Sequence, residues 1–247
     1  MKITRFMSAA AILFCTATLV LAANIPIVNP NFDADVLNCS PGPTCNTGGP
    51  ISGWTESPTG SGVEYSASKV TTVSYPAGAP GGNQIAALVE DGPSANISQI
   101  LTTNLKANDT YTLTFYVGLR ADTTVFAPSF GCYGFNVSLL AGGNVLNSLL
   151  LADGNASCSL VATGAFTRLS FTYTSGSNPV GLGSPLQIVL TAQGSGSNAE
   201  PAEIDFTEVT LTDTSGSTQP YYFADLAFSG GYQTTLTYVN YSPQAVT

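Results

Sequence analysis

No histidine occurs among the 247 residues of this chain. Ser-His-Asp and Cys-His machinery is therefore excluded, as is any imidazole-ligated metal. Glycine loops of the Walker or dinucleotide type are also missing. Chemistry must come from carboxylates, hydroxyls and aromatic rings. The best-placed acid is Asp205, between Ile204 and Phe206. A carboxyl with apolar neighbours holds its proton to higher pH and can donate it. Asp205 is thus the candidate catalytic acid; its plainer roles are calcium ligand or exposed strand residue. A glycosidase pair would need two such acids facing one cleft. A second set is rich in oxygen: Asn29-Pro30-Asn31-Phe32-Asp33 near one end and Asp205-Phe206-Thr207-Glu208 near the other. Domain termini are often neighbours, so Asp33 with Asp205 or Glu208 could serve calcium, which takes six to eight oxygens; the alternative is ordinary surface acids. A third set is aromatic. Tyr116, Phe126, Phe130 and Tyr133, with Trp54 and Tyr65, fall on expected outer faces or loops. Such rings stack on sugars or flat apolar ligands, although Trp54 fits a packed core better.

The elements that must hold these residues read as strands. Tyr111, Leu113, Phe115, Val117 and Leu119 alternate with Thr110, Thr112, Thr114 and Tyr116, the period of a strand with one buried face. Tyr116 is the aromatic on the otherwise Thr-lined side. Before it, the stretch that begins at Asn96 reads as a partner strand, followed by the polar turn Lys106-Ala107-Asn108-Asp109. Short apolar runs separated by turn signals continue through Ile25–Val28, Ile51–Thr55, Val63–Tyr65 with Lys69–Tyr75, Gln84–Val89, Gly134–Leu140, Asn144–Leu151, Phe166–Thr174, Leu186–Gln193 and Glu203–Thr212. The pattern predicts an all-β, two-sheet antiparallel sandwich. In the last strand the apolar phase slips at Thr207-Glu208. Either a β-bulge keeps both apolar pairs inward, or the strand is buried on both faces at one end.

Positive Lys2 and Arg5 precede a short apolar run ending in small residues, which predicts a secretory signal peptide over residues 1–23. The expected domain is 24–213, followed by a linker at 214–220 and a further hairpin at 221–247. That hairpin either docks on the domain or opens a second module. Beyond the leader, Lys69, Lys106, Arg120 and Arg168 stand against all 15 acidic residues, a balance that disfavours nucleic acid as partner. No second apolar span follows, so no membrane anchor is expected after processing. The expected location is secreted, extracellular or periplasmic. There, disulfides are the default for Cys39, Cys45, Cys132 and Cys158. Loop proximity favours Cys39–Cys45 and Cys132–Cys158 among the three possible pairings.

Several segments occur together in order: Ile27-Val28-Asn29-Pro30-Asn31-Phe32-Asp33, Ile51-Ser52-Gly53-Trp54-Thr55, Ile97-Ser98-Gln99-Ile100-Leu101, Asn108-Asp109-Thr110-Tyr111-Thr112-Leu113-Thr114, and Ile204-Asp205-Phe206-Thr207-Glu208-Val209-Thr210-Leu211. The set resembles the bacterial family containing the Stig cyclases of indole-alkaloid synthesis, itself similar to calcium-binding jelly-roll carbohydrate-binding modules. The resemblance implies a jelly roll with structural calcium and, for the cyclases, a calcium-dependent rearrangement and cyclisation assisted by a carboxylic acid. The family's usual Glu is Asp33 here, and its Asp-Asn or Asp-Asp pair is Thr207-Glu208, which removes a usual calcium ligand unless Asp205 or Glu208 substitutes. Taken with the aromatic residues, the sequence favours a secreted binding module for glycan or another cell-surface ligand. The alternative is a cyclase-like enzyme acting on a hydrophobic small molecule; a purely structural extracellular protein comes third.

Overall fold

A computed structural model describes residues 22–37, 50–57, 62–66, 75–82, 84–90, 95–119, 134–151, 160–193 and 202–214. The leader, the four cysteines of the expected disulfides, Phe126, Phe130, Tyr133 and the C-terminal hairpin lie outside the described residues. Among the described residues every regular element is a strand: β1 (Ala23–Ile25), β2 (Thr55–Ser57), β3 (Gly62–Ser66), β4 (Gln84–Glu90), β5 (Asn96–Asn104), β6 (Thr110–Leu119), β7 (Gly134–Ala141), β8 (Asn144–Leu151), β9 (Ala165–Thr174), β10 (Pro185–Gln193) and β11 (Ala202–Asp213). They form two antiparallel sheets. The first runs β3-β4-β11-β6-β9, with β1 paired to the far end of β11; the second runs β2-β5-β10-β7-β8. This is a jelly-roll sandwich, as the alternation predicts.

The strand β6 lies between β11 and β9 in the first sheet and puts Tyr111, Leu113, Phe115 and Val117 into the core, all fully buried. From the facing sheet come Val137 and Leu139 of β7 and Leu186, Ile188 and Leu190 of β10. Phe115, Phe135 and Phe206 join the two layers, with ring centroids 6.1–6.2 Å apart and edge-to-face or tilted contacts, the geometry favoured by aromatic quadrupoles. Trp54 packs into this core beside Phe32 at 5.4 Å; it is not part of an exposed platform.

Two short strands differ from expectation. Pairing of the first strand covers Ala23–Ile25 and stops at Pro26, which has no N–H to continue a ladder. Ile51–Trp54 is a turn closed by the Trp54 N–H on the Ile51 carbonyl at 3.1 Å, with Gly53 at φ +84°; only from Thr55 does the chain pair. The segment Ile27–Asp35 lies outside the ladders, and side chains bond part of its backbone. Gln99, buried on β5, accepts from the Val28 N–H at 2.8 Å and donates to the Val28 and Gly53 carbonyls at 2.9 Å.

One end of the sandwich is closed by polar groups. Ser175 ties the β5–β6 turn to the end of β9, its hydroxyl donating to the Lys106 carbonyl at 2.8 Å. Lys106 reaches Asp213 at 2.8 Å, and its N–H donates to the buried Tyr111 hydroxyl at 2.8 Å. Burial pushes the Tyr111 phenol up to about 12. Burial also raises the Asp109 carboxyl above its ordinary value; the Thr110 N–H opposes the shift and Asp213 adds to it. A raised carboxyl pKa means the folded chain binds that proton more tightly than the unfolded chain. Its stabilising contribution is full below the ordinary carboxylate value and is lost as pH rises through the raised folded value. Asp109→Asn is therefore expected to raise the melting temperature at neutral pH, with the gain shrinking toward zero in acid. Thermal unfolding across that pH range checks it, and a variant less stable at neutral pH would contradict it.

Candidate functional site

The strand β11 is buried on both faces from Glu203 to Thr207. Ile204 and Phe206 enter the core between the sheets, so strand alternation turns Glu203, Asp205 and Thr207 to the outer face of the first sheet. Both readings of the phase slip hold at once. The register with β6 shifts between Thr207 and Thr210, with Glu208 in the left-handed region at φ +49°. The bulge returns Val209 and Leu211 to the core.

Cross-strand register places Asp205 beside Gly118 of β6, and Gly118 beside Phe166 of β9. On the other side Asp205 pairs with Ala87 of β4. Tyr75, in the turn before β4, lies across this row and its hydroxyl donates to Asp205 Oδ2. The Tyr75 and Phe166 rings stack at 4.3 Å. Tyr75, Ile85 and Ala87 form a second apolar cluster, with Leu37, Ala79 and Phe166 packed against it. Asp205 is 0 % exposed. Gly118 is what admits the aromatic pair. A Cβ there would stand 2.7 Å from Phe166 Cε1 and 2.9 Å from the Tyr75 hydroxyl, inside van der Waals contact. The next row along the same face is Thr207, Tyr116 and Arg168, with Tyr116 half-buried and Arg168 exposed.

The three candidate calcium acids part company. Asp33 lies against Gly82 and its Oδ1 accepts from the Gln84 N–H at 2.8 Å. Glu208 lies against Gly81. Asp205 turns instead to Tyr75. The Thr207 hydroxyl donates to the Pro80 carbonyl at 3.3 Å and the Val209 N–H to the Pro30 carbonyl at 3.0 Å. Hydrogen bonds thus tie both loops to the bulge, where the resemblance expects an ion. Among the described residues no three of His, Cys, Asp and Glu are grouped to hold a metal. Asp33 and Glu208 lie against the adjacent Gly82 and Gly81, and no chemical step is derived through a metal. Of the aromatic ligand candidates, Tyr116 is on the outer face beside the acid; Phe126, Phe130 and Tyr133 lie outside the described residues. Sequence reasoning missed Tyr75, Phe166 and Gly118. Gly118 carried the one usable signal: it is the position without a side chain on the Thr-lined face of β6, and a glycine inside a strand marks a close approach.

Two antiparallel sheets in this order, with a buried acid on the outer face of the first, define a protein of the jelly-roll sandwich class. The HpiC1 cyclase family model matches residues 23–212, and the chain belongs to this HpiC1-like family. Among solved structures it is similar to the Stig cyclase Fisc from Fischerella sp. TAU in complex with (3Z)-3-(1-methyl-2-pyrrolidinylidene)-3H-indole. That pair is 25% identical over 78% of this chain and 98% of the other, with a TM-score of 0.63. A cyclase from Fischerella sp. TAU is also 25% identical, over 82% and 100% of the two chains, with a TM-score of 0.62. A further structure of a cyclase from Fischerella sp. TAU, in complex with 4-(1H-indol-3-yl)butan-2-one, shares the fold at 23% identity, 77% and 97% coverage and a TM-score of 0.62. No curated protein sequence matches the chain.

Two outcomes follow for this site. Gly118→Ala should cost about 1–3 kcal/mol in urea unfolding, the usual range for overpacking, with the Tyr75–Phe166 stack displaced; an unchanged midpoint contradicts the close approach. Chelation with EDTA followed by excess calcium tests whether Asp33 and Glu208, against the adjacent Gly82 and Gly81, hold an ion: a site there predicts a melting temperature that rises with calcium concentration, because a ligand bound only by the folded state adds its binding energy to that state. A melting temperature indifferent to calcium would contradict a site at these two acids.

Proposed function

We propose that this protein catalyses an acid-assisted rearrangement or cyclisation of a small apolar molecule of indole type, with Asp205 as proton donor. The observation that carries the reading is the fully buried Asp205 carboxyl hydrogen-bonded to the Tyr75 hydroxyl. Desolvation favours the neutral acid, the form that can give a proton. Tyr75 fixes the carboxyl's orientation. Protonation of a substrate double bond leaves a carbocation, ring closure moves the positive charge, and loss of a proton back to the carboxylate restores the acid. The overall change is an isomerisation. The ring faces of Tyr75 and Phe166 offer cation–π stabilisation, and the apolar cluster around them keeps water from trapping the cation. The family membership and the indole ligands named for the similar cyclases support this substrate class.

A second reading, a glycan-binding module, has one observation in its favour. The outer face of β6 and β9 carries Thr112, Thr172 and Ser170 beside the half-buried Tyr116, a neutral hydroxyl surface with one ring. Saturable retention on a polysaccharide, lost in Tyr116→Ala, would favour it. For the enzyme reading, the protein is incubated with apolar alkenyl indoles and the products are resolved by mass spectrometry and chiral chromatography. Products of unchanged mass are expected, and Asp205→Asn should slow their formation by about 10²–10⁴-fold, the usual contribution of general acid catalysis. Turnover that survives Asp205→Asn would exclude Asp205 as the donor.

A further inference from the structure

We infer that the Tyr75 ring is a resident occupant of the ligand's place. A flat aromatic ligand takes over its position against Phe166 and Asp205, while Tyr75 swings back by about 3.5–4 Å, one layer of packed atoms, to cover the ligand's outer side. The inference rests on Asp205 being the acid of the same site. Asp205 is 0 % exposed and Tyr75 only 3 %. A carboxyl without exposed surface meets no ligand until something over it moves, and proton transfer needs hydrogen-bond reach. Among the described residues, the one whose side chain bonds Asp205 from outside the sheet is Tyr75. The sheet itself retreats around the acid. Beside Asp205 stand Ala87 on β4 and Gly118 on β6, whereas two positions along the same faces stand Ile85 and Tyr116. The recess so left is filled by the Tyr75 phenol, whose hydroxyl comes within 2.9 Å of where a Gly118 Cβ would stand. Phe166 is one wall of it, stacked on the Tyr75 ring at 4.3 Å and 30°.

The backbone under Tyr75 is pinned. Pro76 follows it and restricts it to extended conformations. The Gly78 N–H closes the turn on the Tyr75 carbonyl at 2.9 Å, and the Thr207 hydroxyl holds the Pro80 carbonyl at 3.3 Å. What is left to move is the side chain, by rotation between staggered wells. Its stack on Phe166 is then exchanged for contacts with the ligand, which lies between the two rings. A planar ring meets both walls flat and a puckered one meets neither, so the selected class is flat and aromatic. Tyr75 thus holds the carboxyl in place only until the ligand arrives. Because the ligand binds the open form, its apparent affinity is reduced by the fraction of protein in that form. Weakening the closed form therefore tightens binding. A hydroxyl that served the ligand directly would give the opposite sign.

The test uses the full chain and 4-(1H-indol-3-yl)butan-2-one as probe, with 4-cyclohexylbutan-2-one as its puckered counterpart. Tyr75→Phe keeps the ring and removes the donor that holds it on Asp205. By titration calorimetry the indole probe should bind folded Tyr75→Phe about three- to tenfold more tightly than wild type, the range of one hydrogen bond. Wild type should prefer the indole probe to the cyclohexyl one by about tenfold or more, the worth of two aromatic contacts. Nuclear magnetic resonance with ring-labelled tyrosine and phenylalanine needs no variant. It should show the Tyr75–Phe166 contact in the free protein, replaced in the complex by contacts of the probe to each ring. Unchanged or weaker binding in Tyr75→Phe, equal affinity for the two probes, or a Tyr75–Phe166 contact that persists in the complex would overturn the inference. If turnover falls in Asp205→Asn but Tyr75→Phe binds no more tightly, the occupant is wrong and the acid stands. If Tyr75→Phe binds more tightly but turnover survives Asp205→Asn, the displaced ring stands and Asp205 is not the donor. If the probe binds neither wild type nor Tyr75→Phe, both fall together.

Discussion

Keeping one carboxyl dry is the constraint around which the outer face of the first sheet is built. A sandwich strand ordinarily has one wet face, but β11 is buried on both sides from Glu203 to Thr207. Ile204 and Phe206 are covered by the second sheet. Asp205 is covered by Tyr75, and Tyr75 in turn requires the notch at Gly118 and the ring of Phe166. Remove the notch and the tyrosine is displaced; without the tyrosine, Asp205 loses a hydrogen bond in a place where losing one is costly.

The cover is held from several directions. Leu37 packs on the cluster, and the segment leading to it is stapled by Gln99 and by the Asp33 carboxylate on the Gln84 N–H. The turn carrying Tyr75 is closed by the Gly78 N–H on the Tyr75 carbonyl at 2.9 Å, and the Thr207 hydroxyl anchors Pro80 at its far side. Three phenylalanines behind the sheet, Phe115, Phe135 and Phe206, fix the position of β11 from the core side. The acid is thus presented by a strand inside the sheet, while Tyr75, Leu37 and Ala79 of its cover belong to loops. That division suits a site in which the proton donor must not move and the cover must admit a ligand.

Much of this architecture is legible in the sequence because a period of two survives in single strands. The alternation of Tyr111 to Leu119 gives β6 and its inward face directly. The slip at Thr207-Glu208 marks the bulge, and Ile204 and Phe206 mark Asp205 as an acid with apolar neighbours. The partner of Asp205 is not legible, since Tyr75 lies 130 residues away in a Pro/Gly turn with no periodicity to assign its direction. The separation of Asp205 from Asp33 and Glu208 is illegible for a related reason. Glu208 stands in the bulge and Asp33 in a loop, whereas Asp205 precedes the bulge and keeps the phase of Thr207 and Glu203. Phe166 reads as an ordinary strand residue until the register with Gly118 shows that it has room to stack.

Isotope-edited infrared spectroscopy of the carboxyl stretch tests the central claim most directly. With carbon-13 in the aspartate carboxyls, wild type at neutral pH should show a protonated-acid band that disappears in Asp205→Asn. A spectrum with no band of that kind assignable to position 205, only ionised carboxylate, would contradict the account.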